Sequence, residues 1–267
     1  MRASDLGRRL ILQSSPDAIA AHCPHARART AINPPLLGNM SVQLPLVSVA
    51  VTTRNRKEML LECLASCFSQ SYPRLEVLVY DDASTDGTES AVRAKFPQIR
   101  FTRVETHLGL IALRSRALRE ACGDFVFSID DDAYYTDVDT IALTVHIFLQ
   151  DSSVGAVAIP FVEPYNSCVK SGEQPRAGSP LRAYFGCAHA LRREVAVSLG
   201  AYRDFFFRQG EERDLCIRML DRGYRVVYGS GGPIVHRYSP VRDRDAISFY
   251  GIRNTLLFDV LNVPQPY

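Results

Sequence analysis

Short runs of apolar and β-branched residues alternate with amphipathic segments from residue 46 onward. The apolar runs predict strands at 47–51, 76–80, 100–104, 125–129, 154–159 and 224–228, of the kind that is buried on both faces of a sheet. The amphipathic segments predict helices at 59–69, 88–96, 111–121, 140–149, 211–222 and 246–261. Strands that alternate with helices indicate an α/β fold with a mostly parallel central sheet flanked by helices.

The same pattern divides the chain into three parts. Residues 1–45 contain several prolines and arginines without sustained periodicity, which predicts a poorly ordered N-terminal extension, and Met40 is an alternative start. Residues 46–236 predict one domain, and residues 237–267 predict a loop and an amphipathic helix. Within the domain, residues 160–182 are too long and proline-rich for an ordinary connection, which is typical of a lid or a recognition loop.

The charge balance argues against nucleic-acid binding as the main function. The chain has 31 basic and 29 acidic residues and a net charge of +2, so it has no strong positive field. It also has no apolar run long enough to cross a bilayer, and its first residues lack the apolar segment of a signal peptide. We therefore expect a cytoplasmic protein.

Three consecutive carboxylates, Asp130 to Asp132, follow the predicted strand at 125–129. Ligands of open α/β sheets bind at the carboxyl ends of strands. Alternate residues of an extended segment point the same way, so Asp130 and Asp132 can face one site while Asp131 turns aside. Two carboxylates, diphosphate oxygens and water suit Mg²⁺ or Mn²⁺. An acidic helix cap is the structural alternative, but crowded carboxylates repel one another and favour a cation.

A second acidic segment, Asp81-Asp82-Ala-Ser-Thr-Asp-Gly-Thr, follows the predicted strand at 76–80. Its Ser-Thr-Asp-Gly-Thr part is explained by a turn and a helix cap, because these side chains accept hydrogen bonds from free backbone N–H groups. Asp82 precedes the cap, and we expect its carboxylate to be free to accept a hydrogen bond from a nucleobase or a ribose hydroxyl.

Five segments occur in order along the chain: Val-Thr-Thr-Arg-Asn-Arg at 51–56, Asp81-Asp82 with its turn, the stretch from 109 to 114, the triple aspartate, and Gly-Glu-Glu-Arg-Asp-Leu at 210–215. In this combination the chain resembles the family-2 glycosyltransferases of GT-A fold over about residues 46–260. The resemblance implies a single Rossmann-like domain of GT-A type. It also implies an inverting transferase that uses a nucleotide-activated sugar and a divalent metal, Mg²⁺ or Mn²⁺.

The resemblance further implies roles for individual residues. Asp130 and Asp132 match the D-x-D metal pair. The candidates for donor-nucleotide binding are Thr52, Arg54, Arg56, Asp82, Arg114 and Asp131. Arg114 matches the arginine of an Asn-x-Gly-x-x-x-x-Arg-Asn stretch in which this chain has His107 and Ser115 in place of asparagines. That departure leaves the donor contacts of this stretch open.

Glu211 and Glu212 resemble the acidic pair that supplies the family's catalytic base. Neighbouring residues on a helix are about 100° apart, so both carboxylates cannot aim at one acceptor hydroxyl. Glu211 lies in the first turn, where the helix dipole favours a negative charge. We therefore assign Glu212 as the base, with Glu211 as the alternative and a structural role for both as a third hypothesis.

The sequence does not decide the roles of His236 and of residues 186–189. His236 follows an apolar run, where related proteins often have a histidine near the metal, but a satisfied core histidine is equally consistent with that position. Residues 186–189 either line the acceptor site or form a plain turn between a strand and a helix.

The sequence thus predicts transfer of a sugar from a nucleoside-diphosphate sugar to the hydroxyl of an unidentified saccharide, lipid-linked or other acceptor. The resemblance allows peripheral contact with the inner face of the membrane. Two alternatives remain: a nucleotidyltransferase, which the absence of a glycine-rich loop at 52–57 disfavours, and a catalytically silent sugar-nucleotide-binding protein of the same fold.

Overall fold

A computed structural model describes residues 43–164, 174–237 and 244–264. The predicted extension at 1–45, including Met40, lies almost wholly outside the described residues. So do residues 165–173 of the predicted recognition loop and 238–243 of the predicted C-terminal loop. The proposed division of the chain at residues 45 and 236 therefore stays a prediction.

A central sheet of eight strands and a small sheet of three strands organise the described chain. The strands are β1 (Val47–Thr53), β2 (Leu75–Asp81), β3 (Arg100–Arg103), β4 (Phe125–Asp130), β5 (Ala133–Tyr134), β6 (Val154–Ala158), β7 (Phe161–Val162), β8 (Pro180–Leu181), β9 (Ala188–Arg192), β10 (Arg225–Tyr228) and β11 (Ile234–His236). The helices are α1 (Lys57–Phe68), α2 (Thr88–Lys95), α3 (Leu110–Glu120), α4 (Thr140–Gln150), α5 (Arg193–Ser198), α6 (Glu211–Asp221) and α7 (Arg244–Asn262), with a short 3-10 helix at Asp204–Phe206.

The strand order of the central sheet is β3-β2-β1-β4-β9-β6-β10-β8. The pairs β3-β2, β2-β1, β1-β4 and β6-β10 are parallel, whereas β9 runs antiparallel to both β4 and β6, and β8 runs antiparallel to β10. The predicted α/β fold with a mostly parallel sheet is confirmed. The order reverses between β1 and β4, and in open α/β sheets ligands bind beside such a reversal.

The core lies in two layers, one on each face of the central sheet. Val47, Val49 and Val51 of β1 pack in the layer that contains the buried faces of α1 and α4, whereas Ala50 faces the layer of α3, α5 and α6. This alternation is the period-two pattern of a strand that is buried on both sides. The sheet therefore holds the ends of β1, β2 and β4 rigidly at one edge.

Helix α7 packs against the segment that leads into α6. Asn254 is 3% exposed, and the two N–H groups of its side-chain nitrogen are shared among the carbonyl oxygens of Phe206, Arg208 and Gln209 at 3.0, 2.6 and 2.7 Å. The opposite face of α7 exposes Phe249, Ile252, Leu256 and Val260. None of the described helices has the length and apolar character needed to cross a membrane.

Candidate active site

Asp130, Asp132 and His236 converge at the carboxyl end of β4. One ligand atom from each of the three lies within 4.8 Å of the others. His236 Nε2 is 3.3 Å from Asp132 Oδ1 and 3.7 Å from Asp130 Oδ2. The structure thus brings together the three residues that the sequence nominated for the metal.

The small sheet is what places His236 beside the aspartates. β11 pairs antiparallel with β5, so that His236 lies opposite Ala133, the residue after Asp132. The backbone N–H of Arg237 donates to the Asp132 carbonyl oxygen at 2.9 Å and continues this pairing. Since these are backbone contacts, the position of the histidine is set by strand register rather than by its own side chain.

These residues fit a divalent cation. Asp132 Oδ1 is buried and accepts no hydrogen bond of good geometry from the described residues, although His236 Nε2 lies near it. Burial alone would lower the pKa of His236, but Asp132, Asp130 and Glu163 outweigh it and raise that pKa to about 9. Two carboxylates and an imidazole nitrogen that face one point form a donor set for Mn²⁺ or Mg²⁺.

The Asp131 carboxylate lies outside the cluster of Asp130, Asp132 and His236, although residues 131 and 132 form a turn and not the extended segment from which the alternation was predicted. Its two carboxylate oxygens accept hydrogen bonds from Thr53 Oγ1 at 2.8 Å and from Arg56 Nη1 at 2.9 Å, and the same Arg56 nitrogen contacts Asp132 Oδ2 at 2.8 Å. Burial raises the pKa of Asp131 to about 6 against the opposing charge of Arg56. Asp131 and Arg56 therefore stabilise the loop, and a donor contact by either stays a prediction.

Arg114 connects the metal candidates with the acidic start of α6. Its guanidinium is 5% exposed and contacts the Asp130 carboxylate, Glu211 Oε1 at 3.1 Å and the Gly186 carbonyl oxygen at 2.9 Å. With those contacts made inside the protein, the geometry gives Arg114 a positioning role. Its assignment to donor binding is not tested by the structure.

Glu211 and Glu212 lie in the first turn of α6 but differ in access. Glu211 is 2% exposed and is held by Arg114, whereas Glu212 is partly exposed. Burial and the neighbouring Glu212 raise the pKa of Glu211, and Arg114 opposes them. A Cβ at Gly186 would overlap Glu212 Oε1, so the Glu212 carboxylate lies directly against the backbone of residue 186.

Asp82 is not the free acceptor that the sequence suggested. Its carboxylate contacts His107 Nδ1 at 2.6 Å and accepts from the backbone N–H groups of Leu108 and Gly109 at 2.8 and 3.0 Å. Gly109 has a φ of +90°, and a Cβ there would lie 2.8 Å from Phe207, so the turn requires glycine. Asp82 thus organises the start of α3, and its contact with a nucleobase stays a prediction.

The remaining donor candidates lie at the end of β1. Thr52 is buried and pairs in register with Tyr80 and Asp130, whereas Arg54 is exposed and makes no hydrogen bond or ion pair with the residues that the structure describes. Arg54 is therefore the arginine of this strand end that is open to a ligand.

The chain belongs to the glycosyl transferase family 2, whose profile matches residues 48–199. Among curated proteins, an N-acetylglucosaminyltransferase from Bradyrhizobium diazoefficiens is 30% identical over 232 residues, which cover 75% of this chain and 47% of that protein. An N-acetylglucosaminyltransferase from Rhizobium meliloti is 29% identical over 213 residues, which cover 69% and 49% of the two chains. The chain thus spans about half the length of these relatives.

Solved structures show the same fold. The mannosyltransferase PcManGT from Pyrobaculum calidifontis, in complex with GDP-Man and Mn²⁺, superposes with a TM-score of 0.66 at 27% identity and covers 84% of this chain and 66% of that one. TarS 1–349 from S. aureus in complex with UDP-GlcNAc gives a TM-score of 0.64 at 19% identity, with 83% and 68% of the chains covered. The predicted GT-A fold is confirmed.

Sequence patterns missed Glu163, and they nominated Gly186 only within the segment 186–189, without its contact to Glu212. Glu163 lies 2.7 Å from His236 Nδ1, although 73 residues separate the two in the chain. It falls in a segment without periodicity, and the preceding strand β7 has only two residues. No local pattern marks such a contact.

Proposed function

We propose that the chain is an inverting glycosyltransferase that moves a sugar from a nucleoside-diphosphate sugar to an acceptor hydroxyl with the help of Mg²⁺ or Mn²⁺. Membership of the glycosyl transferase family 2 supports sugar transfer. The similar mannosyltransferase with GDP-Man and Mn²⁺ supports the donor class and the metal. The observation that carries the proposal is Arg114, because one buried guanidinium joins the metal candidate Asp130 to the acidic pair of α6.

Asp130, Asp132 and His236 would hold the cation. When bound, a divalent cation neutralises the charge that develops on the leaving diphosphate. The protein's own contribution here is rigidity: β4 and the small sheet fix the ligand atoms before the donor arrives, so little reorganisation is needed during the reaction.

Glu212 is our candidate for the general base, which takes the acceptor proton as the acceptor oxygen attacks the anomeric carbon opposite the leaving group. The raised pKa of Glu211 would by itself favour Glu211, since a base works best with a pKa near the working pH. Access favours Glu212, because Glu211 is 2% exposed and paired with Arg114 through Oε1, whereas Glu212 is partly exposed. Geometry takes precedence over pKa in choosing a base.

The test compares Glu212→Gln with Glu211→Gln. Glutamine keeps the shape but cannot take a proton, so Glu212→Gln should lower turnover by roughly 10²-fold or more with near-normal donor affinity. Glu211→Gln keeps the shape and an amide oxygen that can accept from Arg114, so it should act mainly on stability, lower the melting midpoint and keep most activity. If Glu211→Gln is the inactive variant, the assignment of the base is wrong although sugar transfer survives.

Donors are found first by a thermal-shift screen of nucleoside diphosphates and sugar nucleotides, each with and without Mn²⁺, because ligands of the native state raise the melting midpoint. The same screen separates the alternatives. A nucleotidyltransferase predicts a preference for nucleoside triphosphates. A catalytically silent protein predicts donor binding without transfer to any acceptor.

Peripheral contact with the inner face of a membrane also stays a prediction. The outward face of α7, with Phe249, Ile252, Leu256 and Val260 exposed, is the described surface on which to test it. Co-sedimentation with anionic liposomes should fall when Ile252 and Leu256 are replaced by serine, and equal sedimentation of parent and variant would count against the contact.

A further inference from the structure

Glu163 presents a nearly buried carboxylate to the side of His236 that faces away from the aspartates. Its side chain is 12% exposed, and Oε1 lies 2.7 Å from His236 Nδ1. The other ring nitrogen, Nε2, faces Asp132 and Asp130. The imidazole therefore lies between the metal candidates and a carboxylate outside both acidic segments of the site, Asp130–Asp132 and Glu211–Glu212.

Strand register fixes this arrangement from both sides of β11. β7 pairs parallel with β11 so that Phe161 lies beside Ile234 and Val162 beside Val235, which brings Glu163, the next residue, alongside His236. On the other edge β5 places Ala133 opposite His236. The two flanking strands thus hold Asp132 and Glu163 on opposite sides of one ring, and a slip of one residue would lose either contact.

The chemistry of imidazole gives this contact a function. A neutral histidine carries one proton, and only the nitrogen without the proton can bind a metal. Once a cation displaces the proton on Nε2, a carboxylate that accepts the Nδ1–H keeps the Nε2 lone pair on that cation and fixes the plane of the ring. Without an acceptor at Nδ1, the facing aspartates would favour a proton on Nε2, which competes with the cation, and the ring would have more freedom to turn.

We propose that Glu163 is a positioning residue that holds His236 in the tautomer and orientation with the Nε2 lone pair directed at Asp130 and Asp132, and that it thereby sets the affinity for the divalent cation. This inference rests on the metal site of the proposed function. It adds a residue from the segment at 160–182, which the sequence assigned to a lid or recognition loop.

A purely structural role would be the joining of β7 to β11, and the experiment separates the two roles. Mn²⁺ binding to the full chain is measured without nucleotide, by the EPR signal of free Mn²⁺, for the parent, Glu163→Ala, Glu163→Gln and His236→Asn. Glu163→Ala should weaken binding by roughly 10–100-fold. Glu163→Gln should weaken it less, because the amide oxygen still accepts the Nδ1 proton.

Glu62→Gln is the matched control. Glu62 forms an ion pair at 2.6 Å with Arg237, the neighbour of His236, but it is 46% exposed and does not touch the imidazole. Its loss should leave Mn²⁺ affinity within about twofold of the parent, since exposed ion pairs contribute little. Unfolding midpoints of all variants without metal show whether β7 stays in place.

A spectroscopic measurement reports the hydrogen bond at Nδ1 directly. With Zn²⁺ as a diamagnetic ion that binds imidazole nitrogen, long-range ¹H–¹⁵N correlation of the parent should show His236 protonated at Nδ1, assigned by its loss in His236→Asn. With Zn²⁺ on Nε2 the proton stays on Nδ1 in every variant, but Glu163→Ala should move its ¹H resonance upfield and broaden it by exchange with water. Glu163→Gln should restore the resonance in part, because the amide oxygen accepts this proton.

The outcomes distinguish a failure of the metal site from a failure of the role of Glu163. If the parent does not bind Mn²⁺, or if His236→Asn binds it as tightly, the proposed metal site fails and this inference fails with it. If His236→Asn weakens binding while Glu163→Ala retains parental affinity and the parental Nδ1 proton resonance, the metal site stands and the role of Glu163 is overturned.

Discussion

Acid should destabilise the folded protein through His189, a fully buried histidine of β9. Its Nε2 lies 2.8 Å from Tyr202 Oη, which lies 2.9 Å from Tyr184 Oη, and its Nδ1 lies 3.2 Å from the Phe185 carbonyl oxygen. A neutral ring satisfies this chain, because Tyr202 donates to Nε2 and Nδ1–H donates to Phe185. A second ring proton would require the tyrosine hydroxyls to reverse.

The magnitude follows from the pKa of His189, which burial and then the charge of Arg114 lower from 6.5 to about 3. The unfolded chain takes up a proton as the pH falls through 6.5, whereas the folded chain does so only near pH 3. Stability is therefore lost progressively between pH 6.5 and pH 3 and loses no more from this group below that. At 1.36 kcal/mol per pKa unit, the loss at pH 5 is about 2 kcal/mol.

The assay is urea unfolding of the metal-free protein followed by far-UV circular dichroism, since the chain has no tryptophan. His189→Gln replaces the titrating ring with an amide that can accept from Tyr202 and donate to Phe185. It should lower stability at pH 7, and its disadvantage should shrink by about 2 kcal/mol at pH 5. His146→Gln, at a partly exposed position of α4, controls for the removal of a histidine. Parallel stability curves for the parent and His189→Gln would refute a neutral buried ring.

Three further perturbations test the site. Asp132→Asn should abolish Mn²⁺-dependent binding of a nucleoside diphosphate in calorimetry, with far-UV circular dichroism unchanged; retained metal dependence would remove this carboxylate from the metal site. Asp82→Ala removes the acceptor of three donors before α3, so UDP, GDP and dTDP should bind more weakly and the melting midpoint should fall. No change in either quantity would show that the turn is stable without Asp82. Gly186→Ala adds a Cβ where Glu212 Oε1 lies, so turnover should drop with little change in stability. The control Gly251→Ala has open space around the new Cβ and should keep full activity. Equal activities of the two variants would mean that Glu212 can move without consequence.

Most of the central sheet could be predicted because its strands are long, apolar and buried on both faces. The predicted strands of β1, β2, β4 and β6 agree with the observed ones to within about two residues, since burial dictates their composition. Strand β9 was missed. Its sequence, Ala-His-Ala-Leu-Arg, is rich in alanine, which has low strand propensity, and it is held between β4 and β6 by pairing that only the folded sheet supplies.

The same distinction between local sequence signals and contacts made by folding applies to the site residues. Asp130, Asp132 and Glu211 could be nominated because each follows a strong local signal, a strand end or a helix start. The contacts within the site could not be derived, because Arg114 meets Asp130, Gly186 and Glu211, and Glu163 meets His236, across 16 to 97 positions of sequence. Local pattern shows where reactive side chains lie along the chain, whereas register and packing determine what each of them touches.

The hydrogen bonds from Asn254 to three carbonyl oxygens limit where this chain can be truncated or joined to a segment of a relative. Carbonyl groups at 206, 208 and 209 immediately precede the helix that carries Glu211 and Glu212, and their partner lies on the far side of residue 236. A shortened protein that ended at 236 would leave those carbonyls to water and loosen the approach to the acidic pair. Exchange of C-terminal segments between relatives would therefore alter catalysis unless the asparagine and the 206–209 turn were transferred together.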